Sequence, residues 1–349
     1  MRLGIDTTWM GDNPAGVGTF AGEVIKELEG REDLELVLFS AKDTSWRKHL
    51  DIYQEIKEKK IDVLWQLGDW LPLLVPSGVK TIQTVHDLMS YDHPEWFPQG
   101  GLSRTWSQRI RVPRAIKSAD VVHAISSFTS RQVSKIFNIE SNVVMAYQGV
   151  GVPDDIDQDR TPGNLKGTSY LVMVGTIEPR KNIEAAIEAF KIVTEKYPDD
   201  KLVIMGKKGW GTERAMETIE NAGDSVQYLG YVDDPTKFAI LKGARGLVMT
   251  SFAEGFGRPL VEAMRLGVPV VASATSGMKE VAEDAGIMVF VDDIKKVAHG
   301  MERLLHHDEL RGKLVTLGYE RVKRFDTKRM VDSVLEKLLE RDDKHGLSD

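Results

Sequence analysis

The amino-acid sequence predicts an α/β protein built from two doubly wound, Rossmann-like parallel sheets. Its 349 residues are enough for two domains, each with a core of its own. Short apolar segments alternate with longer amphipathic ones up to residue 147, and the alternation restarts at Tyr170. Strands that alternate with helices favour parallel sheets covered by helices on both faces. The segment between the two halves, residues 149–167, is rich in Gly, Pro and Asp, as linkers are.

We therefore expect one domain over residues 1–160 and a second over residues 161–325. A C-terminal helical segment, residues 326–349, could pack back on the first domain. A ligand cleft between the two domains would be a common arrangement. The linker contains Asp155-x-Asp157, but an acidic, Pro-bounded junction is more simply solvated, and we predict no metal site there.

Composition excludes several classes of protein. The net charge of −7 leaves no basic field for nucleic acid. The absence of cysteine excludes disulfides, a thiolate nucleophile and a Cys-ligated metal. Met1-Arg2 leads directly into a strand, without a signal sequence, and no apolar run approaches the ~20 residues that span a bilayer. These features favour a cytoplasmic protein.

The first half opens with a strand over Arg2–Asp6, a Gly-rich loop that contains Gly16-Val17-Gly18, and a helix to about Leu28. A strand, a Gly loop and a helix together suit the approach of a phosphate. The spacing lacks the full dinucleotide-binding fingerprint, so a flexible turn is the favoured interpretation of this motif when it is taken alone.

Further strands are predicted at residues 34–40, 61–66 and 79–85, with a helix at 46–60. The third of these strands places His86 at its carboxyl end, where open α/β sheets bind ligands. A purely structural histidine is the alternative. An aromatic and Pro-rich loop follows at residues 93–101.

The helix predicted at residues 102–118 is strongly basic. It could present a solvated face, or a surface for an anionic acceptor or anionic lipid headgroups. Its basic residues are Arg104, Arg109, Arg111, Arg114 and Lys117. A strand at 120–125 follows, then a helix capped by Ser126-Ser127 and a last strand at 142–147.

The second half repeats the pattern. Its first strand, Tyr170–Val174, leads into the segment 175–182, which carries two adjacent cations. Strands at 201–205 and 226–228 are each followed by Gly-containing loops, and a helix is predicted at 234–244. The tail from Ile294 is helical, with breaks near residues 307 and 325.

The segment Thr250–Ala272 combines a Gly-rich turn with a helix start and two carboxylates. Its glycines permit a tight bend, Pro259 suits the first helical turn, and the unpaired amides there favour an anion. Glu254 and Glu262 could hold hydroxyl groups. The turn therefore suits a phosphate-bearing ligand, although an ordinary βα turn would look similar.

These residues resemble the E-x7-E signature of retaining glycosyltransferases of glycosyltransferase family 4, which have the two-domain GT-B fold. The signature residues and the EPRKN stretch at 178–182 are specific together, whereas the other matches are individually weak. The matching residues are Glu254-Gly255-Phe256-Gly257, Pro259, Glu262, Gly16-Val17-Gly18, Val85-His86-Asp87-Leu88, Ser126-Ser127, Gly149-Val150, Gly175, Gly206, Gly230-Tyr231-Val232 and Glu280-Val281.

The resemblance implies a role for each matching position of the catalytic centre. Arg180 and Lys181 would bind the donor's diphosphate beside Gly175. The amides of Leu260 and Val261 would meet the distal phosphate. Glu262 would hold the ribose, and Glu254, with the amides around Phe256 and Gly257, the transferred sugar. His86 would touch that sugar at its anomeric carbon.

The remaining positions would complete the binding of the donor and the acceptor. Gly206, Lys208, Tyr231 and Val232 would line the base pocket, while Gly16 and Gly18 would close over the phosphates or the acceptor. Two positions depart from the family pattern. Arg258 stands where a small or aliphatic residue is common, and Lys279 stands where Pro is usual.

The implied activity is metal-independent, retaining transfer of a hexose from a nucleotide sugar, GDP-mannose or a UDP-hexose, to a glycan or lipid-linked acceptor. The segment 86–98 resembles polysaccharide mannosyltransferases, which favours mannose. No cofactor is expected, and contact with an anionic membrane at its cytoplasmic face is an open expectation. The alternatives are a non-catalytic nucleotide-sugar-binding subunit and an NDP-sugar epimerase. A glycan phosphorylase is disfavoured, because no lysine context marks a pyridoxal site.

Overall fold

The computed structural model describes residues 1–10, 16–41, 47–68, 70–98 and 107–345. Its contacts divide the chain into two compact units. Unit 1 comprises the described residues of Met1–Tyr91, Gly100–Val150 and Phe325–Asp349, and unit 2 those of Asp92–Gln99 and Gly151–Arg324. Each unit contains a six-stranded sheet in which all paired strands are parallel, which confirms the predicted fold class.

The sheet of unit 1 has the strand order β2-β1-β3-β4-β5-β6. Its central strands are almost wholly buried, as expected for a parallel sheet covered on both faces. The elements are β1 (Arg2–Asp6), α1 (Gly16–Glu29), β2 (Glu35–Phe39), α2 (Lys48–Glu58), β3 (Val63–Gln66), β4 (Lys80–Val85), α3 (Met89–Asp92), a π-helical turn (Ser107–Arg111), α4 (Val112–Ser118), β5 (Val121–Ala124), α5 (Ser127–Phe137) and β6 (Val143–Met145).

The sheet of unit 2 has the strand order β12-β11-β10-β7-β8-β9. Its elements are β7 (Tyr170–Val174), a 3-10 turn (Pro179–Lys181), α6 (Ile183–Lys196), β8 (Lys201–Met205), α7 (Glu213–Glu220), β9 (Val226–Gly230), α8 (Asp234–Gly243), β10 (Gly246–Met249), α9 (Arg258–Arg265), β11 (Val270–Ser273), α10 (Ser276–Ala282), β12 (Gly286–Val289), α11 (Ile294–His306) and α12 (Asp308–Val322). Across the described residues, no helix is long and apolar enough to traverse a bilayer.

The Gly16-Val17-Gly18 motif does not form the expected loop. Gly16 begins α1, and Gly18 is buried in its first turn. The apolar spacing of Phe20, Val24 and Leu28 continues back to Gly18 and lays this end of the helix on the core. Residues 11–15 of the predicted loop lie outside the described residues.

Of the predicted basic helix, the structure describes the π-helical turn Ser107–Arg111 and α4, and two of its cations have structural partners. Arg114 donates to the carbonyl oxygens of Pro72 and Leu73 at 3.1 and 2.5 Å, and Arg111 to that of Trp70 at 3.5 Å. These bonds tie α4 to the loop after β3. Arg104 lies outside the described residues.

The last helix, α13 (Thr327–His345), belongs to unit 1. Its apolar face joins the core formed by β1, β3 and α1, and Asp332 pairs with Arg31 at 2.5 Å. The buried residues of this face are Met330, Val331, Val334, Leu335 and Leu338. The start of the helix lies against Gly149, where a Cβ would come within 2.5 Å of the Thr327 backbone nitrogen.

We expect Gly149→Ala to destabilise the protein by about 1–3 kcal/mol, because the added methyl group meets backbone that has to move. Gly22→Ala is the matched control, since nothing lies within 4 Å of that position in α1. Alanine in a helix should there stabilise by about 0.5–1 kcal/mol. Thermal unfolding measures both changes, and a Gly149→Ala protein as stable as Gly22→Ala would contradict the packing argument.

A buried polar network crosses the sheet of unit 1. The Trp65 indole N–H donates to Thr84 Oγ1 at 3.0 Å, and Thr84 Oγ1 lies 3.2 Å from His123 Nδ1. His123 Nε2 lies 2.9 Å from the carbonyl oxygen of Ala146. Because that carbonyl can only accept, Nε2 carries the hydrogen and Nδ1 accepts from Thr84. Burial lowers the pKa of His123 to about 4.

The depressed pKa of His123 predicts a loss of stability on acidification. Below a pH of about 6.5 the unfolded chain takes up a proton at this site, whereas the folded protein resists protonation down to a pH of about 4. Stability from this group should therefore fall as the pH falls through that window. His123→Gln should flatten the pH dependence of the melting temperature there, and an unchanged slope would contradict the assignment.

Candidate functional site

Two loops meet at the carboxyl edge of the unit 2 sheet. One follows β7, the other follows β10, and the two strands are neighbours. The Phe252 amide donates to the Arg180 carbonyl at 2.9 Å, and the Thr250 hydroxyl donates to the Asn182 carbonyl at 3.0 Å. Sheet order therefore joins segments that are about 70 residues apart in sequence, at the edge where α/β sheets bind ligands.

Glu254 lies at the centre of these loops and is 8% exposed. Its Oε1 accepts from Lys181 Nζ at 2.7 Å and from the Ser251 hydroxyl at 2.8 Å, while its Oε2 pairs with Arg180. Arg180 also binds Glu178 Oε1 at 2.5 Å and the Ala253 carbonyl at 2.8 Å. Two cations and two carboxylates thus form a charge-balanced cluster.

The cluster keeps Glu254 ionised. Burial raises the pKa of this carboxyl group, but the charges and hydrogen bonds of Lys181 and Arg180 outweigh burial and lower it to about 2. An ionised carboxylate only accepts hydrogen bonds. The site therefore presents an anionic acceptor within reach of hydroxyl or ammonium donors.

A cavity opens beside the cluster at the ends of β7 and β10. It is lined by Met173, Val174, Gly175, Lys181, Ile183, Ile204, Val248, Met249, Thr250 and Ser251. Gly175 has φ 143°, and a Cβ there would lie 3.3 Å from Lys181 Nζ. A Cβ on Gly206 would lie 1.9 Å from the Gly175 carbonyl oxygen, so these two loops need glycine to approach so closely.

Glu262 has a separate pair of cations. It is 3% exposed and accepts from Arg258 Nε at 3.0 Å, with Lys237 Nζ at 3.6 Å. The side chain of Arg258 is nearly buried and pairs with Glu262 one turn along the same helix, at the i,i+4 spacing that favours such ion pairs. Each of the two signature glutamates has two cationic neighbours of its own.

The start of α9 differs in detail from the expectation. Gly257 caps the helix with φ 102°, a conformation that favours glycine, and the Leu260 amide donates to its carbonyl at 3.0 Å. The Leu260 amide thus has a partner within the turn, and its expected contact with a phosphate stays a prediction. The side chains of Phe256, Leu260 and Val261 are buried, so any contact of theirs with a ligand would come from the backbone.

The predicted base-pocket residues lie at the ends of two other neighbouring strands. Gly206 and Lys208 follow β8, and Tyr231 and Val232 follow β9. The Gly206 amide donates to the Gly230 carbonyl at 2.8 Å and joins the two loops. Lys208 is exposed, and Tyr231 is 63% exposed.

His86 lies in unit 1, directly after β4. Its Nε2 is 2.6 Å from the Leu67 carbonyl oxygen, so this nitrogen carries the hydrogen, and its ring packs edge-on against Phe20. Burial lowers the pKa of His86 below its usual value, which favours the neutral ring. The expected contact with a sugar stays a prediction.

The turn between β11 and α10 supports Glu254 and was not found from the sequence. The Ser276 hydroxyl accepts from the Glu254 amide at 2.9 Å, and the Gly277 amide donates to the Glu254 carbonyl at 3.0 Å. The Thr275 hydroxyl donates to the Phe252 carbonyl at 2.9 Å. The sequence signal for this turn was the pair Thr275-Ser276 just after a strand. The pairing of β11 with β10 is needed to show that the turn lies beside Glu254.

Ser276 is strained as well as hydrogen-bonded, because its φ of 52° is uncommon for a residue with a Cβ. We expect Ser276→Ala to lose the bond and keep the strain, at a cost of about 1–3 kcal/mol. Ser276→Gly also loses the bond but removes the strain, so it should be the more stable variant.

Thermal unfolding ranks the two Ser276 variants. A Ser276→Gly protein no more stable than Ser276→Ala would contradict the strain at this position.

Two family models cover most of the chain. Residues 155–321 match the model for glycosyl transferases group 1, and residues 14–152 match that for glycosyltransferase family 4. The chain belongs to the group 1 / family 4 glycosyltransferases. Among the described residues of this glycosyltransferase, no group of three or more His, Asp or Glu side chains could hold a metal ion.

Its relatives include mannosyltransferases. The chain is 28% identical over 261 residues to the O-antigen chain mannosyltransferase B of Escherichia coli, a match that covers 70% of this chain and 66% of that protein. It is 33% identical over 193 residues to the phosphatidyl-myo-inositol mannosyltransferase of Mycolicibacterium smegmatis, covering 53% of this chain and 49% of that protein. The matches thus span between half and two thirds of these relatives.

Solved structures share the fold. HepE of Anabaena, in complex with UDP and glucose, superposes with a TM-score of 0.76 and 18% identity over 97% of this chain and 100% of that one. Sucrose-phosphate synthase from Thermosynechococcus elongatus also gives a TM-score of 0.76, with 16% identity over 99% of both chains. At these identities the likeness shows the GT-B fold alone.

Proposed function

We propose that this chain transfers a hexose, with mannose as the first candidate, from a nucleotide-diphosphate sugar to a glycan or lipid-linked acceptor. The observation that carries the proposal is the buried, ionised Glu254, held by Lys181 and Arg180 beside the cavity at Gly175. Mannose is favoured because relatives over both halves of the chain are mannosyltransferases. GDP-mannose is therefore the first donor to test, and a UDP-hexose the second.

Lys181 is the residue best suited to neutralise the donor's diphosphate. It lines the cavity, and its Nζ has one carboxylate partner, Glu254, within salt-bridge distance among the described residues. Arg180, in contrast, bridges Glu178, Glu254 and the Ala253 carbonyl. On arrival of a diphosphate, we propose, Lys181 shifts from Glu254 to phosphate oxygen while Arg180 keeps the loop in place.

That exchange would release an oxygen of Glu254 for the sugar. Its Oε1, which accepts from Lys181 and Ser251, would then accept from a hydroxyl of the transferred hexose. Glu262, with Arg258 and Lys237 beside it, would hold the ribose hydroxyls of the same donor. The two glutamates would therefore fix the two ends of one ligand.

The transfer we propose proceeds with retention. The bond from the anomeric carbon to the diphosphate oxygen breaks, the acceptor hydroxyl adds on the same face, and its proton passes to the departing phosphate. Positive charge near the leaving group stabilises this step, and Lys181 supplies it. NMR of the product tests the stereochemistry: an α-linked product from an α-linked donor is expected, and a β-linked product would contradict retention.

Glu254→Gln tests the proposed catalytic centre. The amide keeps the size of the side chain but loses the charge, so we expect turnover of GDP-mannose, measured as GDP release, to fall by about 10²–10³-fold. The exposed Glu309→Gln on α12 is the matched control and should keep full turnover.

Binding separates loss of chemistry from loss of fold. GDP should still raise the melting temperature of Glu254→Gln, because a ligand selective for the folded state stabilises it. Full turnover by Glu254→Gln would refute the role of this carboxylate. If neither GDP-mannose nor UDP-glucose bound to or was turned over by the wild-type protein, the proposed function itself would be wrong.

A further inference from the structure

A short aromatic segment of the chain has no role in the function proposed above. Asp92–Gln99 lies between two segments of unit 1 in sequence, yet its contacts assign it to unit 2. We call its described part, residues 92–98, the strap. It contains a 3-10 turn, Pro94–Trp96, and contributes three rings, those of His93, Trp96 and Phe97.

The strap contacts the loop that carries Glu254. The rings of His93 and Trp96 stack with centroids 3.8 Å apart and an interplanar angle of 11°. Trp96 stacks in turn with Phe252, at 5.8 Å and 20°. Phe252 is two residues from Glu254, so the strap packs on the loop that presents the carboxylate.

The strap also contacts the loop after β8. Phe97 stacks with Trp210 at 5.9 Å, and the Trp210 indole N–H donates to the Trp96 carbonyl at 2.7 Å. Next to Trp210, the Gly209 amide donates to the Ile177 carbonyl at 2.9 Å and so joins this loop to the one after β7. Stacked aromatic pairs stabilise beyond the apolar area that they bury, so these contacts hold the two loops in place.

These two sets of contacts lie on either side of the diphosphate-binding segment proposed above. In the sheet, β10 and β8 flank β7, whose following loop carries Lys181. One segment of seven residues therefore holds both neighbouring loops. The Trp96 ring is half-buried, and it is engaged by protein through its stacking with His93 and Phe252.

We propose that Trp96 is a positioning residue for the donor, acting through Phe252 on Glu254 and through Trp210 on the loop that starts at Gly206. This inference rests on the proposed function. The Phe252 backbone transmits the effect: its amide donates to the Arg180 carbonyl and its carbonyl accepts from the Thr275 hydroxyl. A shift of the Phe252 ring therefore moves backbone that is bonded to two segments around Glu254. These are the loop that carries Arg180 and the turn that carries Thr275 and Ser276.

The test compares variants of the full chain. Trp96→Ala removes the ring that stacks with His93 and Phe252 but keeps the carbonyl that accepts from Trp210. Trp96→Phe keeps a ring for stacking, and Trp210→Phe keeps a ring but deletes the indole N–H. Phe290→Ala is the matched control, since Phe290 is an aromatic residue of the same unit that is 63% exposed. The measurements are KM and kcat for GDP-mannose and UDP-glucose, the Kd of each donor by calorimetry, and the melting temperature.

We expect Trp96→Ala to raise the KM and Kd of the accepted donor by about 10–100-fold, as small displacements of positioned groups do. Trp96→Phe should recover most of the affinity, and Trp210→Phe should lie between wild type and Trp96→Ala. Phe290→Ala should bind donor like wild type. A purely structural role would lower the melting temperature and the active fraction without raising the KM of the folded fraction.

The outcomes separate this inference from the proposed function. Wild-type KM and Kd in Trp96→Ala would overturn the positioning role while leaving the glycosyltransferase proposal intact. If Trp96→Ala did not fold, wild-type donor affinity in Trp210→Phe, the variant expected to weaken binding, would overturn it equally. Failure of the wild-type protein to bind either donor would instead remove the proposed function, and this role with it.

Discussion

The buried charge cluster around Glu254 constrains the carboxyl edge of the unit 2 sheet. A carboxylate removed from water is costly unless cations and hydrogen bonds replace its hydration. Here the cations are Arg180 and Lys181, on the loop after β7, and a hydrogen bond comes from Ser251, on the loop after β10. The two loops must therefore lie side by side in one arrangement. The strand order, the glycines that let the loops approach, and the turn at Ser276 all serve this requirement. Such a cluster adds little net stability, but it specifies one arrangement of the loops.

The same cluster suits the arrival of a charged ligand. Its own charges are balanced, so an incoming diphosphate meets cations that already have partners and must compete for them. The exchange of one ion pair for another costs less free energy than the burial of an unpaired cation would, because Lys181 is never left unpaired in the interior. The second cluster, at Glu262, also places a buried carboxylate between two cations, and its Lys237 pairs with Asp234 as well. Both ends of the site thus use paired charges rather than isolated ones.

Much of this arrangement could be predicted from the sequence, for definite physical reasons. Alternating strands and helices fix the fold class, and the Ser126 cap, whose hydroxyl oxygen accepts from the Thr129 amide, follows from local chemistry alone. Glu254 and Glu262 could be recognised from the sequence because they lie close together in the chain, in one turn and the helix that follows it. Ser276 and the strap could not be found in this way, since their partners are set by strand order. The loop predicted at Gly16 and Gly18 was wrong, because both residues lie in the first turn of α1. Glycine permits unusual backbone conformations but does not require them.

The return of α13 to unit 1 affects how the chain acquires its structure during synthesis. The sheet of unit 1 leaves the ribosome before unit 2, but part of its core is formed by Met330, Val334 and Leu338, which are made after unit 2. Throughout translation, the apolar surface that α13 will cover remains open to water or to chaperones. Unit 2, apart from the strap, is one continuous stretch and can close its core earlier. Of the two units, the one whose synthesis starts earlier is therefore completed later, and a chain that ends before α13 would leave apolar core residues of unit 1 exposed to water.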